Sequence, residues 1–143
     1  MPAVPVILVC DDDPDDQILI EGAFSEAHIR ANFQFTSDGR QLIDYLEHCS
    51  TKVKKPCPNI ILLDINMPGM DGKQTLTWIK SRSDYRAIPV VMYTTSTDES
   101  DIHQCYQLGA NSYMTKCASF EALVDKANSF SKYWMETAML PPK

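Results

Sequence analysis

Short apolar runs recur along the chain, separated by longer stretches whose apolar residues fall at helical spacing. Val4 to Cys10, Asn59 to Asp64 ("NIILLD") and Ile88 to Tyr93 are dense in Val, Ile and Leu. Such runs are too short for typical helices and read as strands buried on both faces. Asn32 to Thr36 alternates as a further short strand, and Ser112 to Thr115 reads as a fifth. Helices are predicted between them. The first runs from about Asp15 to His28, with Pro14 suited to its opening turn. The second, Gln41 to Cys49, is entered through Asp38-Gly39. The third, Lys73 to Ser81, follows the turn signal "MPGMDG". A fourth opens at Ser96-Thr97-Asp98-Glu99, which has the pattern of a capping box, and stops at Gly109. A last helix starts near Ser119 and carries Phe120, Leu123, Val124, Ala127, Phe130 and Trp134 on one stripe.

Strand and helix alternate five times. That order predicts an α/β domain with a parallel sheet and right-handed crossovers. In open sheets of this kind, sites form at the carboxyl ends of the strands, where the strand order switches. The polar residues at those ends therefore matter most.

Five carboxylates crowd Asp11 to Asp16, directly after the first strand. Like charges at that density repel, and partial burial strengthens the repulsion. Asp15 and Asp16 suit the favourable end of a helix dipole and are expected to face water. Asp12 and Asp13 are assigned to the strand end. Asp64 closes the third strand, Thr94 and Thr95 the fourth, and Lys116 follows the fifth. Three carboxylates, a hydroxyl and an amine would then meet at one edge. Oxygen donors without nitrogen or sulfur suit Mg²⁺, which would relieve the repulsion. Lys116 and a threonine hydroxyl could hold a phosphoryl group from the other side.

Composition narrows the classes. The 143 residues suffice for one domain, with 44% hydrophobic and 22% charged residues. A formal charge of −6 argues against binding a nucleic-acid backbone. No apolar run approaches the roughly 20 residues of a membrane span. The first residues lack the pattern of a signal peptide, so a cytoplasmic protein is expected. The five cysteines form no C-x-x-C pair, and reduced thiols are expected, with Cys10 and Cys105 in the core. The only linker-like stretch is "STKVKKPCP", Ser50 to Pro58, with Lys52, Lys54 and Lys55 as a local basic patch.

From about Val6 to Trp134 the chain resembles the receiver domain of two-component response regulators, through "LVCDDDPDD", "IILLDINMPGMDG", "PVVMYTTS" and "GANSYMTK". The resemblance implies a doubly wound, flavodoxin-like (βα)5 fold with strand order 2-1-3-4-5. It implies one receiver domain over 1–143, with a core of about 5–134 and an extension over 135–143. Asp64 would accept a phosphoryl group from a histidine kinase, as a carboxylate nucleophile. Asp13, Asp64 and the backbone carbonyl of Asn66 would bind Mg²⁺ directly, and Asp12 through a water. Thr94 and Lys116 would bind phosphoryl oxygens, and Tyr113 would be the aromatic switch. No enzymatic activity is expected beyond the protein's own phosphorylation and dephosphorylation. A Mg²⁺-dependent phosphohydrolase is the alternative, although its general acid would be an aspartate where this chain has Asn66.

Two departures stand out. Cysteine follows Lys116 where many receivers have proline. The long segment before the third strand and the ending "YWMETAMLPPK" look like the small response regulators that partner bacterial phytochromes. That likeness implies a phytochrome-type kinase and a homodimer on the face built from helix four, strand five and helix five. Tyr133, Trp134, Met135, Met139 and Leu140 are expected to stand uncovered past the sheet edge and to take part in it.

Overall fold

The computed structural model describes residues 4–50 and 55–143. Part of the linker-like stretch, residues 51–54 with Lys52 and Lys54, lies outside the described residues. Five strands, β1 (Val6–Cys10), β2 (Asn32–Thr36), β3 (Ile60–Leu63), β4 (Val90–Thr94) and β5 (Ser112–Thr115), alternate with five helices. These are α1 (Pro14–Glu26), α2 (Gly39–His48), α3 (Gly72–Ser81), α4 (Glu99–Gln107) and α5 (Phe120–Ser131). All strand pairs are parallel, in the order β2-β1-β3-β4-β5. The doubly wound expectation holds.

The three apolar runs became β1, β3 and β4 because both sheet faces are covered. Ile7, Val9, Ile60, Leu62 and Val91 pack with Ile20, Phe24, Leu123 and Phe130 of α1 and α5. Leu8, Cys10, Ile61, Leu63 and Met92 face the other way, towards Leu42, Leu46, Leu76 and Ile79 of α2 and α3. Every residue of these three strands is buried. Full burial of one Leu or Ile side chain contributes about 1.5–3 kcal/mol, so these two clusters carry the fold.

Helix starts follow from local side chains. Asp13 caps α1, with Pro14 at its first position, and Asp38 caps α2. Asp71 and Gln74 form a reciprocal capping box on α3. The capping box expected from Ser96 and Glu99 does not form. Asp98 caps α4 instead, accepting from the Ser100 amide, and Ser96 Oγ donates to Asp101 Oδ2 at 2.7 Å.

Two further expectations are corrected. Cys49, just past α2, and Cys57, on the approach to β3, are joined in a disulfide with Cα atoms 5.0 Å apart. Only Cys10, Cys105 and Cys117 are free. Sequence spacing did not reveal the pairing, which rests on the close approach of the two residues in the folded chain. The C-terminal aromatic cluster is also divided. After α5 the chain continues as a π-helical segment, Lys132–Thr137. Trp134 and Met135 pack on the α1/α5 side of the core, whereas Tyr133 and Met139 remain exposed.

Candidate functional site

Strand register assembles the site. Cys10 pairs with Leu63, so the next residues, Asp11 and Asp64, emerge side by side at the switch point between β1 and β3. The Asp64 amide donates to the Cys10 carbonyl at 3.0 Å, and the Asp11 amide to that of Thr36 at 3.0 Å. Thr94 pairs with Thr115 at the ends of β4 and β5, and the Lys116 amide donates to the Thr94 carbonyl at 2.8 Å. Gln17 Nε2 straps the β1–α1 turn, donating to the carbonyls of Asp11 and Thr36. Beneath Asp64 the backbone passes so near Gly72 that a Cβ there would collide with the Asp64 carbonyl and with Ile65 Cα. The glycine ending "MPGMDG" is thus required by the close approach of α3 to the site.

The carboxylates that meet are Asp11, Asp12 and Asp64, each offering an oxygen within 4.8 Å of the others. Asp11 and Asp64 are buried and Asp12 is exposed. This revises the expected trio of Asp12, Asp13 and Asp64. β1 ends at Cys10, so Asp11 is the strand-end residue, and Asp13 stands two positions on as the cap of α1. Its Oδ1 accepts from the Asp15 amide at 2.9 Å, which fixes it to the helix start. The Asp13 amide itself donates to Asp11 Oδ1 at 3.0 Å.

Lys116 reaches into the acids. Its Nζ lies 2.7 Å from Asp11 Oδ2, 2.9 Å from Asp64 Oδ2 and 2.7 Å from Asp16 Oδ2. The Lys116 side chain is 9% exposed and stands over the Tyr93 ring, 5.7 Å from its centroid. Burial opposes its charge, but the three carboxylates outweigh that and hold its pKa above the ordinary lysine value. Asp11 moves up from the usual carboxylate range because burial outweighs the help of Lys116. Burial pushes the neighbouring Cys10 thiol up to about 12, so it stays a neutral donor to the Asp38 carbonyl. Asp16 was expected in solvent, and its pairing with Lys116 is a correction.

The remaining expected residues occupy the same edge. Thr94 is fully buried, and its Oγ1 accepts from the Ser96 amide at 3.5 Å. Asn66 is exposed, and its amide donates to Asp64 Oδ1 at 3.4 Å. Tyr113 is half-buried, and its hydroxyl donates to the Ser96 carbonyl. No peptide bond among the described residues is cis, the Lys116–Cys117 bond included. Ser96 was read from the sequence only as a helix cap, not as a site residue, yet it touches Thr94, Tyr113 and, through Asp101, Lys73 of α3.

The donor set fits a hard divalent cation. It offers carboxylate oxygens without imidazole, and Asp11 Oδ2 is buried with no hydrogen bond of normal geometry, although Lys116 stands beside it.

Comparison with known proteins agrees with this geometry. Residues 7–128 match the family of the response regulator receiver domain. Response regulator Rcp1 of Synechocystis sp. is 34% identical over 136 residues, which span 95% of this chain and 92% of Rcp1. The crystal structure of the phosphorylated cyanobacterial phytochrome response regulator RcpA superposes with a TM-score of 0.88 at 33% identity, covering 98% of this chain and all of that one. The Mn²⁺-bound form of Rcp1 gives 0.84 at 33% identity, covering 96% and 99%. No helix among the described residues is long and apolar enough to cross a membrane. With a 2-1-3-4-5 sheet, an acid trio at its switch point and a lysine closing over them, this chain belongs to the response regulator receiver domain family of two-component signalling.

Proposed function

We propose that Asp64 accepts a phosphoryl group from the phosphohistidine of a sensor histidine kinase, and that the resulting acyl phosphate switches a protein-interaction surface. The observation that carries this reading is the juxtaposition of Asp64 with two further acids and with Lys116 at 2.9 Å. Phosphoryl transfer needs positioning and neutralisation of charge, and these groups supply both. Asp11, Asp12 and Asp64, with the Asn66 carbonyl, would hold Mg²⁺, and Asp13 leaves the ligand set. The cation would neutralise charge on the phosphoryl oxygens. Lys116 pairs with one of those oxygens, and Thr94 donates its hydroxyl to another.

The phytochrome response regulators among the relatives support a phytochrome-type kinase as donor. Ile18, Leu19 and Phe120 are exposed large apolar residues near the site edge and offer a docking surface for it. We place the protein in the cytoplasm, where the Cys49–Cys57 pair is subject to reduction. It acts as one receiver domain whose chemistry is limited to its own phosphorylation and dephosphorylation. Nothing in the site favours the phosphohydrolase alternative, because Asn66 occupies the position of its general acid. Tyr106, Tyr113, Met114 and Trp134 line a groove of about 540 Å³ on the α4, β5 and α5 face. A second copy of the chain is proposed to cover it.

The test is direct. Incubation with acetyl phosphate and Mg²⁺ should add one phosphoryl group to the wild type and none to Asp64→Asn by intact mass. Equal labelling of both would defeat the proposal. Light scattering on wild type and Tyr106→Glu checks the assembly, with a dimer expected only for the former.

A further inference from the structure

Lys116 is held by more than the strand-end acids. Three carboxylates surround its ammonium, on Asp11, Asp64 and Asp16, at 2.7, 2.9 and 2.7 Å; Asp64 and Asp16 accept hydrogen bonds from it, and Asp11 pairs with it by charge. Two of these acids belong to the oxygen cluster at the switch point. The third does not. Asp16 lies in the first turn of α1, with its side chain 27% exposed, and is absent from the group of converging oxygens. It reaches the lysine because it sits one helical turn before the buried Ile20, on the stripe that continues through Ala23 and Phe24. Its neighbour Asp15 is exposed, and Asp13 caps the helix.

We propose that Asp16 is a positioning residue for phosphoryl transfer at Asp64: it accepts one hydrogen bond from the Lys116 ammonium and so keeps the amine aimed at Asp64, with Asp11 in charge contact beside it. The inference rests on the reading of Asp64 as phosphoacceptor. A lysine stem has four rotatable bonds, and its ammonium is a compact charge without a built-in direction. A divalent cation on Asp11 and Asp64 would neutralise both acids and weaken their grip on the lysine. Asp16 stands outside that donor set and keeps its charge. Its bond holds Lys116 in place when the other two are weakened.

The competing explanation is a generic one, that an acid in a first helical turn is favoured by the helix dipole. Asp15 shares that benefit without touching Lys116, which makes Asp15→Asn the control. The experiment uses the full chain and begins with the lysine. The side-chain ammonium signal of Lys116 is assigned in a nitrogen-15 NMR spectrum by its loss in Lys116→Met. Its proton exchange with water should accelerate roughly tenfold in Asp16→Asn, about the worth of one charged hydrogen bond. It should stay near wild type in Asp15→Asn and be restored in Asp16→Glu. Labelling by acetyl phosphate at saturating Mg²⁺ should slow by a similar factor in Asp16→Asn, while Mg²⁺ affinity stays within about twofold because Asp16 is not a ligand. In the Lys116→Met background, Asp16→Asn should change labelling no further.

Equal exchange rates in Asp16→Asn and Asp15→Asn would overturn the proposal. So would faster labelling in Asp16→Asn, which would mark Asp16 as mere repulsion, or an undiminished effect without Lys116. If the wild type takes up no phosphoryl group while the ammonium data still separate Asp16 from Asp15, the reading of Asp64 falls. Asp16 is then a lysine anchor with no part in transfer.

Discussion

Tyr113 donates its hydroxyl proton to the carbonyl of Ser96 across 2.9 Å, linking β5 to the loop that follows β4. Ser96 is two residues past Thr94 and its amide points at the Thr94 hydroxyl. On the proposed reading, a movement of Thr94 towards a phosphoryl oxygen would pull on the group that holds the Tyr113 ring, through hydroxyl, loop amide, loop carbonyl and phenol.

Tyr113→Phe should cost about 1 kcal/mol in a urea melt, the value of one hydrogen bond. Its effect on the switch should be larger than its effect on chemistry. Labelling of Asp64 should stay close to wild type, while the phosphorylation-dependent change in hydrogen exchange over α4 should shrink. Unchanged exchange behaviour would separate Tyr113 from the switch.

Removing the cation should expose the repulsion within the acid cluster. Asp11 is buried beside Asp64 and has one cation to share with Asp16. In chelating buffer Asp11→Asn should raise stability by about 1 kcal/mol, because it deletes one of the crowded charges. Added Mg²⁺ should stabilise the wild type and leave this variant nearly unmoved. The readout is the melting temperature with and without Mg²⁺. Asp13→Asn should keep the Mg²⁺ response, since that residue caps α1.

The first strand shows how much of the site was legible. The apolar run and the acids after it located the edge correctly, because a strand buried on both faces must end where charge begins. Three consecutive aspartates then left the register open. Counting from Cys10, the last apolar residue, would have selected Asp11 and Asp12. Asp16 carried a readable signal as well, since it lies four residues before Ile20 and shares its stripe. It was assigned to water because helix starts favour acids, a rule that says nothing of which side of the helix they face. Trp134 also carried a signal, since it continues the stripe of Leu123, Ala127 and Phe130 that docks on the sheet; the Cys49–Cys57 pairing had none, because it depends on the tertiary approach of the two residues. The order of strands, and Asp64, Thr94 and Lys116 at their ends, followed from alternation and family resemblance together.

Lys73 and Asp101 form a bridge between α3 and α4 at 2.6 Å. Hydrogen bonds from Lys73 and Ser96 hold the Asp101 carboxyl below the usual range. A depressed carboxylate stabilises the fold above its unfolded pKa of about 3.9, and that contribution is lost as pH falls through the folded value. Both side chains are about a quarter exposed, so solvent screens the pair. Lys73→Met should therefore lose only about 0.5 kcal/mol at pH 7. The difference from wild type should vanish at the acid end of a series of urea melts. A constant difference across pH would mean that packing, and not charge, is what the lysine provides.

The central claim is that one particular carboxylate receives the phosphoryl group. Borohydride reduces an aspartyl phosphate to homoserine and so marks the residue permanently. After incubation with acetyl phosphate and Mg²⁺, reduction and peptide mass spectrometry should find homoserine at position 64 alone. Omission of Mg²⁺ should abolish it. Homoserine at position 11, 12 or 16, or none in the presence of Mg²⁺, would contradict the account.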